Sequence, residues 1–370
     1  MDKVTLFKVF MSDEAIEDVS SILKSGYIAE GAKVEEFEKA LQDWLGNPFA
    51  AVTNTCTSAL TMALKMSDVG FGDEVITTSM SCLATNQPIL HAGAIPIWCD
   101  IEKETLNMDA NKIEELITKK TKAIMCVHYG GIPCDMDSIW EIAQNHNLKV
   151  IEDCAHAWGS TYQKEKIGCG YHGDYACFSM GPIKHFNSIE GGIIACRNKE
   201  DYERAKLLRW YAHDRKGRRT EVRWTAEVYE PGYKFNMNNV SATVGLANLK
   251  YLDTLIGTHK ANGTYYDSNI TNPRVQKMKV RENSESAWWI YNLLLENAEE
   301  RERFVKLMTA NNIEVSVVHT RNDTYKLFEA FKRDLPVLNQ VTPQYISIPV
   351  GWNVTPQDRE RIVKIINEEF

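Results

Sequence analysis

The residue whose chemistry stands out first is Lys184. It lies in Met180-Gly181-Pro182-Ile183-Lys184-His185-Phe186-Asn187-Ser188-Ile189-Glu190-Gly191-Gly192, between two strand-like runs, YACFS (175–179) and GIIAC (192–196). The stretch is otherwise apolar and glycine-rich. Taking a lysine out of water lowers its pKa and frees its lone pair to form a Schiff base. A solvated loop lysine is the ordinary alternative, although the double glycine favours a close backbone approach. A second candidate, Asp153, ends the predicted strand LKVIED (148–153) and precedes Cys154-Ala155-His156-Ala157-Trp158-Gly159. A carboxylate at the end of a buried strand needs a cationic partner, and a protonated pyridine ring is one. A cap on the next turn is an equally open reading. A third segment, Asn54-Thr55-Cys56-Thr57-Ser58, follows the predicted strand FAAVT (49–53) and opens a helix. Hydroxyls and free N–H groups at a helix start make an anion site, whereas Thr57 as a plain N-cap is the simpler reading. Together the three segments supply a phosphate seat, a partner for a pyridine nitrogen and an imine-forming lysine. Pyridoxal 5′-phosphate (PLP) needs all three, and their coincidence is far more specific than any one of them.

These residues must be carried by a scaffold, and its pattern is an alternation of short β-branched runs with helical segments. Ser12 begins a first helix with Ile16, Val19, Ile22 and Leu23 on its apolar face, and a second carries Val34, Phe37 and Leu41. Residues 57–66 read as a helix, 74–78, 95–98 and 121–127 as further strands, and Val240 to Leu255 as one long helix. Such alternation argues for an α/β fold with a mainly parallel sheet, in which ligands sit at the carboxyl ends of the strands. Beyond it the order is irregular: AWWIYNLLL (287–295) and IEVSVV (313–318) read as strands, 299–310 and the residues after Thr355 as helices. The expectation is a large domain over 1–250 and a smaller C-terminal α+β domain over 251–370.

Composition narrows the partners. The chain has 370 residues and a formal net charge of −8, so it offers no basic footprint for nucleic acid. Its start lacks a signal-peptide pattern, and no apolar run is long enough to span a membrane. A cytoplasmic location with reduced thiols is therefore expected. All nine cysteines fall between positions 56 and 196, with no CxxC pair, so metal ligation is not expected and small buried packing residues are. No GxGxxG follows the first strand, which speaks against a nicotinamide-dependent oxidoreductase.

Motifs spread along nearly the whole chain carry a resemblance. They include Ser25-Gly26-Tyr27-Ile28-Ala29-Glu30-Gly31, Gly72-Asp73-Glu74-Val75-Ile76, His128-Tyr129-Gly130, Glu152-Asp153-Cys154-Ala155-His156, Glu190-Gly191-Gly192, Asn236-Met237-Asn238 and Ile348-Pro349-Val350. In these the sequence resembles the DegT/DnrJ/EryC1/StrS sugar aminotransferases, within the aspartate-aminotransferase fold. The resemblance implies a three-layer PLP-binding large domain. It implies that Lys184 holds PLP as an internal aldimine, that Asp153 pairs with the pyridine nitrogen, and that His156 lies near the ring's 3′-oxygen. Thr57, Ser58 and Ser179 would bind the phosphate. A neighbouring subunit of a homodimer would complete the site with the segment Lys234-Phe235-Asn236-Met237-Asn238. Two departures stand out. The family usually has an aromatic residue stacked on the cofactor ring where this chain has Cys82, which leaves a roomier pocket. It also commonly has asparagine at the place of Lys234 and arginine at the place of Asn236.

The activity implied is ping-pong transamination through PLP and pyridoxamine phosphate. The amino group would pass from L-glutamate to a keto-sugar, in the first instance a nucleotide-linked keto-deoxysugar for lipopolysaccharide or another glycan. A keto-inositol or keto-sugar phosphate is an alternative acceptor. A PLP-dependent sugar dehydratase is the alternative reaction, but in such relatives histidine replaces the lysine, whereas here His185 only follows it. A non-enzymatic regulator would need a lost lysine or an added DNA-binding segment. Candidate acceptor contacts are His185, Arg209 to Arg215, and His319 to Arg321; a solvated charged loop is the plainer reading of any single one.

Overall fold

The computed structural model describes residues 2–214 and 227–370. Its strands are β1 (Ala50–Thr53), β2 (Glu74–Thr78), β3 (Ile95–Cys99), β4 (Thr121–Val127), β5 (Lys149–Asp153), β6 (Thr161–Tyr162), β7 (Glu165–Lys166), β8 (Tyr175–Ser179), β9 (Gly192–Cys196), β10 (Gln276–Lys277), β11 (Ser284–Glu285), β12 (Tyr291–Leu294) and β13 (Tyr345–Ile348). Seven of them form the central sheet in the order β1-β9-β8-β5-β4-β2-β3. All its pairings are parallel except the two made by β9, which runs antiparallel to both β8 and β1. The reversed β9 therefore brings the carboxyl end of β1 beside that of β8: Gly192 is registered with Thr53 on one side and Ser179 on the other. Asp153, ending β5, is registered with Cys177 of β8.

The helices include α1 (Glu14–Ser25), α2 (Ala32–Leu45), α3 (Cys56–Met66), α4 (Leu83–His91), α5 (Met136–Asn145), α6 (Lys199–Leu208), α7 (Asn239–Leu249), α8 (Leu252–Asn269) and α9 (Ala298–Ala310). Successive strand residues point to opposite faces, and here both faces are apolar. Val52, Ile76, Ile124, Val150, Phe178 and Ile193 pack under α2 and α5. Ala51, Val75, Met125, Ile151, Cys177 and Ile194 pack under α3, α4 and α6. This three-layer arrangement matches the expectation for a mainly parallel sheet buried on both sides. Seven of the nine cysteines are buried within it; Cys82 and Cys169 are half-buried.

A second core lies around the antiparallel sheet β10-β12-β13 and gathers Tyr266, Trp289, Phe304 and Ile346 together with Val4 from the chain's start. Among the described residues no helix is long and apolar enough to cross a membrane.

Three sequence expectations are corrected. The helix read over 240–255 is two, with a turn at Tyr251, whose N–H bonds to Asn248 O at 3.0 Å. They have different partners. α7 lies so close to α2 that a Cβ on Gly245 would stand 2.3 Å from the Phe37 ring. α8 runs from the first core, at Leu252 and Ile256, to the second, at Tyr266. The run 313–318 forms only single bridges, Ile313 to Val4 and Ser316 to Ser347, because it passes from one partner to the other without a continuous ladder. The first helix starts at Glu14 rather than Ser12, whose N–H is taken by Asn248 Oδ1 at 3.0 Å.

Candidate active site

A cavity of about 190 Å³ opens at the carboxyl ends of β1, β5 and β8, lined among others by Thr57, Cys82, Asp153, His156, Ser179 and Lys184. One end is the start of α3. Its N-cap is Thr55, whose hydroxyl accepts the Ser58 N–H at 3.1 Å; Thr57 is one residue inside the helix. The simpler reading of Thr57 as the cap is thus corrected. The first turn of a helix leaves N–H groups without intrahelical partners, and this one also carries the Thr57 side chain. The Ser58 hydroxyl donates to Asn54 Oδ1 at 2.7 Å and lies 3.0 Å from Thr55 Oγ1. Ser58 does not line the cavity. Gly192 allows the turn to close down: a Cβ there would stand 2.4 Å from Thr55 C and O. Opposite, Ser179 ends β8, held by the Trp158 indole N–H, which donates to its carbonyl at 2.7 Å.

Asp153 is 4% exposed. One carboxylate oxygen accepts the Thr85 hydroxyl at 2.7 Å, and the other accepts the Ala155 N–H at 3.0 Å. Burial pushes its pKa up, and the Thr85 bond, the Ala155 amide and the Lys184 charge pull it back. No ion pair to Asp153 occurs among the described ones. A buried acid so placed, facing a cavity, calls for a cation.

Lys184 stands across the cavity. Burial pulls its pKa down to about 8, while the Asp153 carboxylate works against the shift. Its Nζ lies 3.8 Å from the centroid of the Trp289 ring. The Trp289 N–H donates to the carbonyl of Ile183 at 2.8 Å, so one side chain from the second core supports both the amine and the backbone preceding it. The sequence reading missed Trp289, which lies about a hundred residues downstream in an apolar run; only the doubled tryptophan at 288–289 marks it. Thr85 was also missed, although it closes a hydroxyl-rich stretch, Ser79 to Thr85.

His156 stacks on Trp289 with centroids 3.8 Å apart and 15° between planes. Its Nδ1 accepts the Gly130 N–H at 3.4 Å. Burial first, and the Lys184 charge next, hold its pKa well below the usual range. The ring is therefore neutral, with its proton on Nε2. Behind Asp153, the buried His128 and Glu152 are joined at 3.0 Å, close to Cys154. Both His128 nitrogens are used, since Nδ1 accepts the Cys134 N–H at 3.1 Å. This group is a strut between β4 and β5 rather than an open ligand set.

Other predicted contacts lie elsewhere. His185 points into the core and shares a hydrogen bond with Ala287 O at 2.9 Å, so it does not line the cavity. His319 stands behind the site, 5.6 Å from the His156 ring and 5.9 Å from Trp289, and burial pushes its pKa down to about 3. Arg321 is engaged by both oxygens of Asp323. Lys234 lies 3.5 Å from the Trp210 ring centroid and donates to Asn236 Oδ1, so neither Lys234 nor Asn236 reaches this chain's own cavity. The same segment nevertheless touches the cavity's rim, where Asn54 N–H donates to Phe235 O at 2.7 Å. Arg215 lies outside the described residues. A larger hollow of about 480 Å³ includes Glu30, Glu38, Arg209 and His213. Arg209 is spent there on Glu38 and on Val52 O.

The residues fit PLP on their own chemistry. A cationic ring nitrogen suits the unpaired Asp153, a phosphate suits the α3 start and Ser179, and an aldehyde suits the desolvated amine. Comparison with known proteins points the same way. A model of the DegT/DnrJ/EryC1/StrS aminotransferase family matches residues 10–367. The spore coat polysaccharide biosynthesis protein SpsC of Bacillus subtilis is 33% identical over 372 residues, covering 96% of this chain and 94% of that protein. The solved sugar aminotransferase CalS13 from Micromonospora echinospora has a TM-score of 0.93 at 32% identity over 99% of each chain. Spr1654 from Streptococcus pneumoniae, in its PLP form, has a TM-score of 0.90 at 26% identity over 99% of this chain and 98% of that one. Its PMP form aligns over 99% and 97%.

Proposed function

The chain belongs to the DegT/DnrJ/EryC1/StrS aminotransferase family and is a PLP-dependent sugar aminotransferase, and from that premise we propose how its own residues do the work and on what. The amino donor is L-glutamate and the acceptor a nucleotide-linked keto-deoxysugar destined for a glycan. The relative named for spore coat polysaccharide biosynthesis supports a glycan precursor. The observation that carries the reading is that Lys184 and Asp153 line one cavity with the start of α3 and Ser179.

In this reading the free first-turn N–H groups of α3, with Thr57 and Ser179, hold the phosphate, while Ser58, predicted as a direct contact, braces the turn through Asn54 and Thr55. Asp153 holds the proton on the ring nitrogen, and His156 offers its Nε2 proton near the ring's oxygen. Bound there, PLP supplies an electron sink for the carbanion formed at the donor's α-carbon. Lys184 first anchors the cofactor. As a free amine, its Nζ would take the proton from the donor's α-carbon and pass it on to the cofactor's reacting carbon. An amine titrating near 8 suits both halves of that transfer. Lys234 and Asn236 serve a neighbouring subunit's cavity in a homodimer.

Two measurements test the proposal. Lys184→Ala should abolish turnover and the imine absorbance; full activity in that variant would sink the assignment. A panel of nucleotide keto-sugars and small keto compounds, each assayed with glutamate, should yield amine from a nucleotide-linked member. Amine formed only from a free inositol or a sugar phosphate would refute the acceptor class, and keto product released without net amine transfer would refute the reaction.

A further inference from the structure

We propose that Thr85 is a positioning residue that holds the Asp153 carboxylate in place for the cofactor's ring nitrogen, with Ser81 holding Thr85 in turn. The proposal rests on the reading of Asp153 given above.

Ser81 Oγ lies 2.6 Å from Thr85 Oγ1, and Thr85 Oγ1 lies 2.7 Å from Asp153 Oδ2. An ionised carboxylate only accepts, and a threonine hydroxyl has one proton to give. With Asp153 ionised, the order is forced: Ser81 donates to Thr85, and Thr85 donates to Asp153. The Ala155 N–H can only donate, and it occupies the other carboxylate oxygen. Both hydrogen bonds to the Asp153 carboxylate thus favour its charged form and fix its plane. All three side chains are buried, Thr85 completely, so water does not substitute for a lost donor. The Thr85 bond is the largest influence holding down a pKa that burial raises.

The hydroxyl pair is itself bolted in place. Asn322 Nδ2 donates to Ser81 O at 2.6 Å, and its N–H donates to Ser79 O at 2.8 Å. Asn86, next to Thr85, donates to Asn322 Oδ1 at 2.8 Å and to Thr78 O at 3.0 Å. Residues from the second half of the chain therefore set the loop from which Thr85 reaches Asp153.

The test uses the purified full-length protein stripped of cofactor and titrated with PLP and with its 1-deaza analogue, which carries C–H in place of the ring nitrogen. Thr85→Val keeps the shape and removes the hydroxyl. Losing a bond to a buried charge should raise the Kd for PLP on the order of ten-fold or more. Thr85→Ser, which restores the donor, should stay within about three-fold of the parent. The parent and Thr85→Val should bind the deaza analogue alike, because Asp153 has nothing to meet there. Should Thr85→Val not fold, Ser81→Ala reads the same chain one step back and should weaken PLP alone, by less. Equal weakening of both ligands would show a merely structural role and overturn the proposal. So would parental PLP affinity in Thr85→Val while Asp153→Asn loses it. An Asp153→Asn variant that still prefers PLP to the deaza analogue would instead overturn the reading of Asp153 itself.

Discussion

The lysine at the centre of this site should destabilise the protein that carries it. In the cofactor-free chain Lys184 titrates near 8 rather than at its ordinary 10.5, because burial disfavours the ammonium. Below about pH 8 both folded and unfolded chains bind the proton, and the folded chain bears the full cost of holding it in poor solvent. Between about 8 and 10.5 the unfolded chain binds a proton that the folded chain lacks, so stability rises with pH through that window. Above it the cost is gone. The size of the shift corresponds to about 3 kcal/mol at neutral pH, which is a ceiling because Lys184 keeps some solvent contact. Lys184→Met removes the charge at similar length. Cofactor-free Lys184→Met should therefore be more stable than the parent by up to ~3 kcal/mol near pH 7, with the gap narrowing towards about pH 10. Urea unfolding of both proteins across that range measures it. Cysteines and tyrosines titrating in the same window are common to both and cancel in the difference, and any packing gain from methionine is independent of pH. A gap that stays constant from neutral to alkaline pH, or a variant less stable than the parent near pH 7, would refute the claim that Lys184 is held desolvated.

Two further perturbations address the rest of the cavity. Gly192→Ala puts a Cβ 2.4 Å from the Thr55 carbonyl, so the start of α3 must back away and PLP should be lost during gel filtration. Undiminished retention would show that the phosphate sits elsewhere. Cys82→Phe or Cys82→Tyr, at the head of α4 on the cavity wall, should tighten cofactor retention while raising KM for the acceptor. No change in either would remove Cys82 from above the ring.

The types of residue in the sequence, and where they fall relative to strands, already pointed to Lys184, Asp153 and the Asn54–Ser58 turn. That was possible because such chemistry sits at strand ends, and strand ends are a local property of the chain. The alternation of strand-like and helical segments likewise announced an α/β fold with a mainly parallel sheet. Strand order is not local. That β9 runs backwards between β1 and β8, drawing Thr53, Gly192 and Ser179 into one row, follows from pairing across more than a hundred residues. Only that order makes three separate segments the walls of a single cavity. The direction of a side chain is no more legible. His185, next to the key lysine, turns into the core towards Ala287, whereas Trp289, remote in sequence, stacks on His156 and supports Lys184. Thr85 gains its meaning only because α4 lays its first turn against the end of β5. The sequence by itself determined which chemistry this protein can perform. The tertiary structure decided which neighbours hold each group, since burial and hydrogen-bond partners come from segments that meet only once the chain is folded.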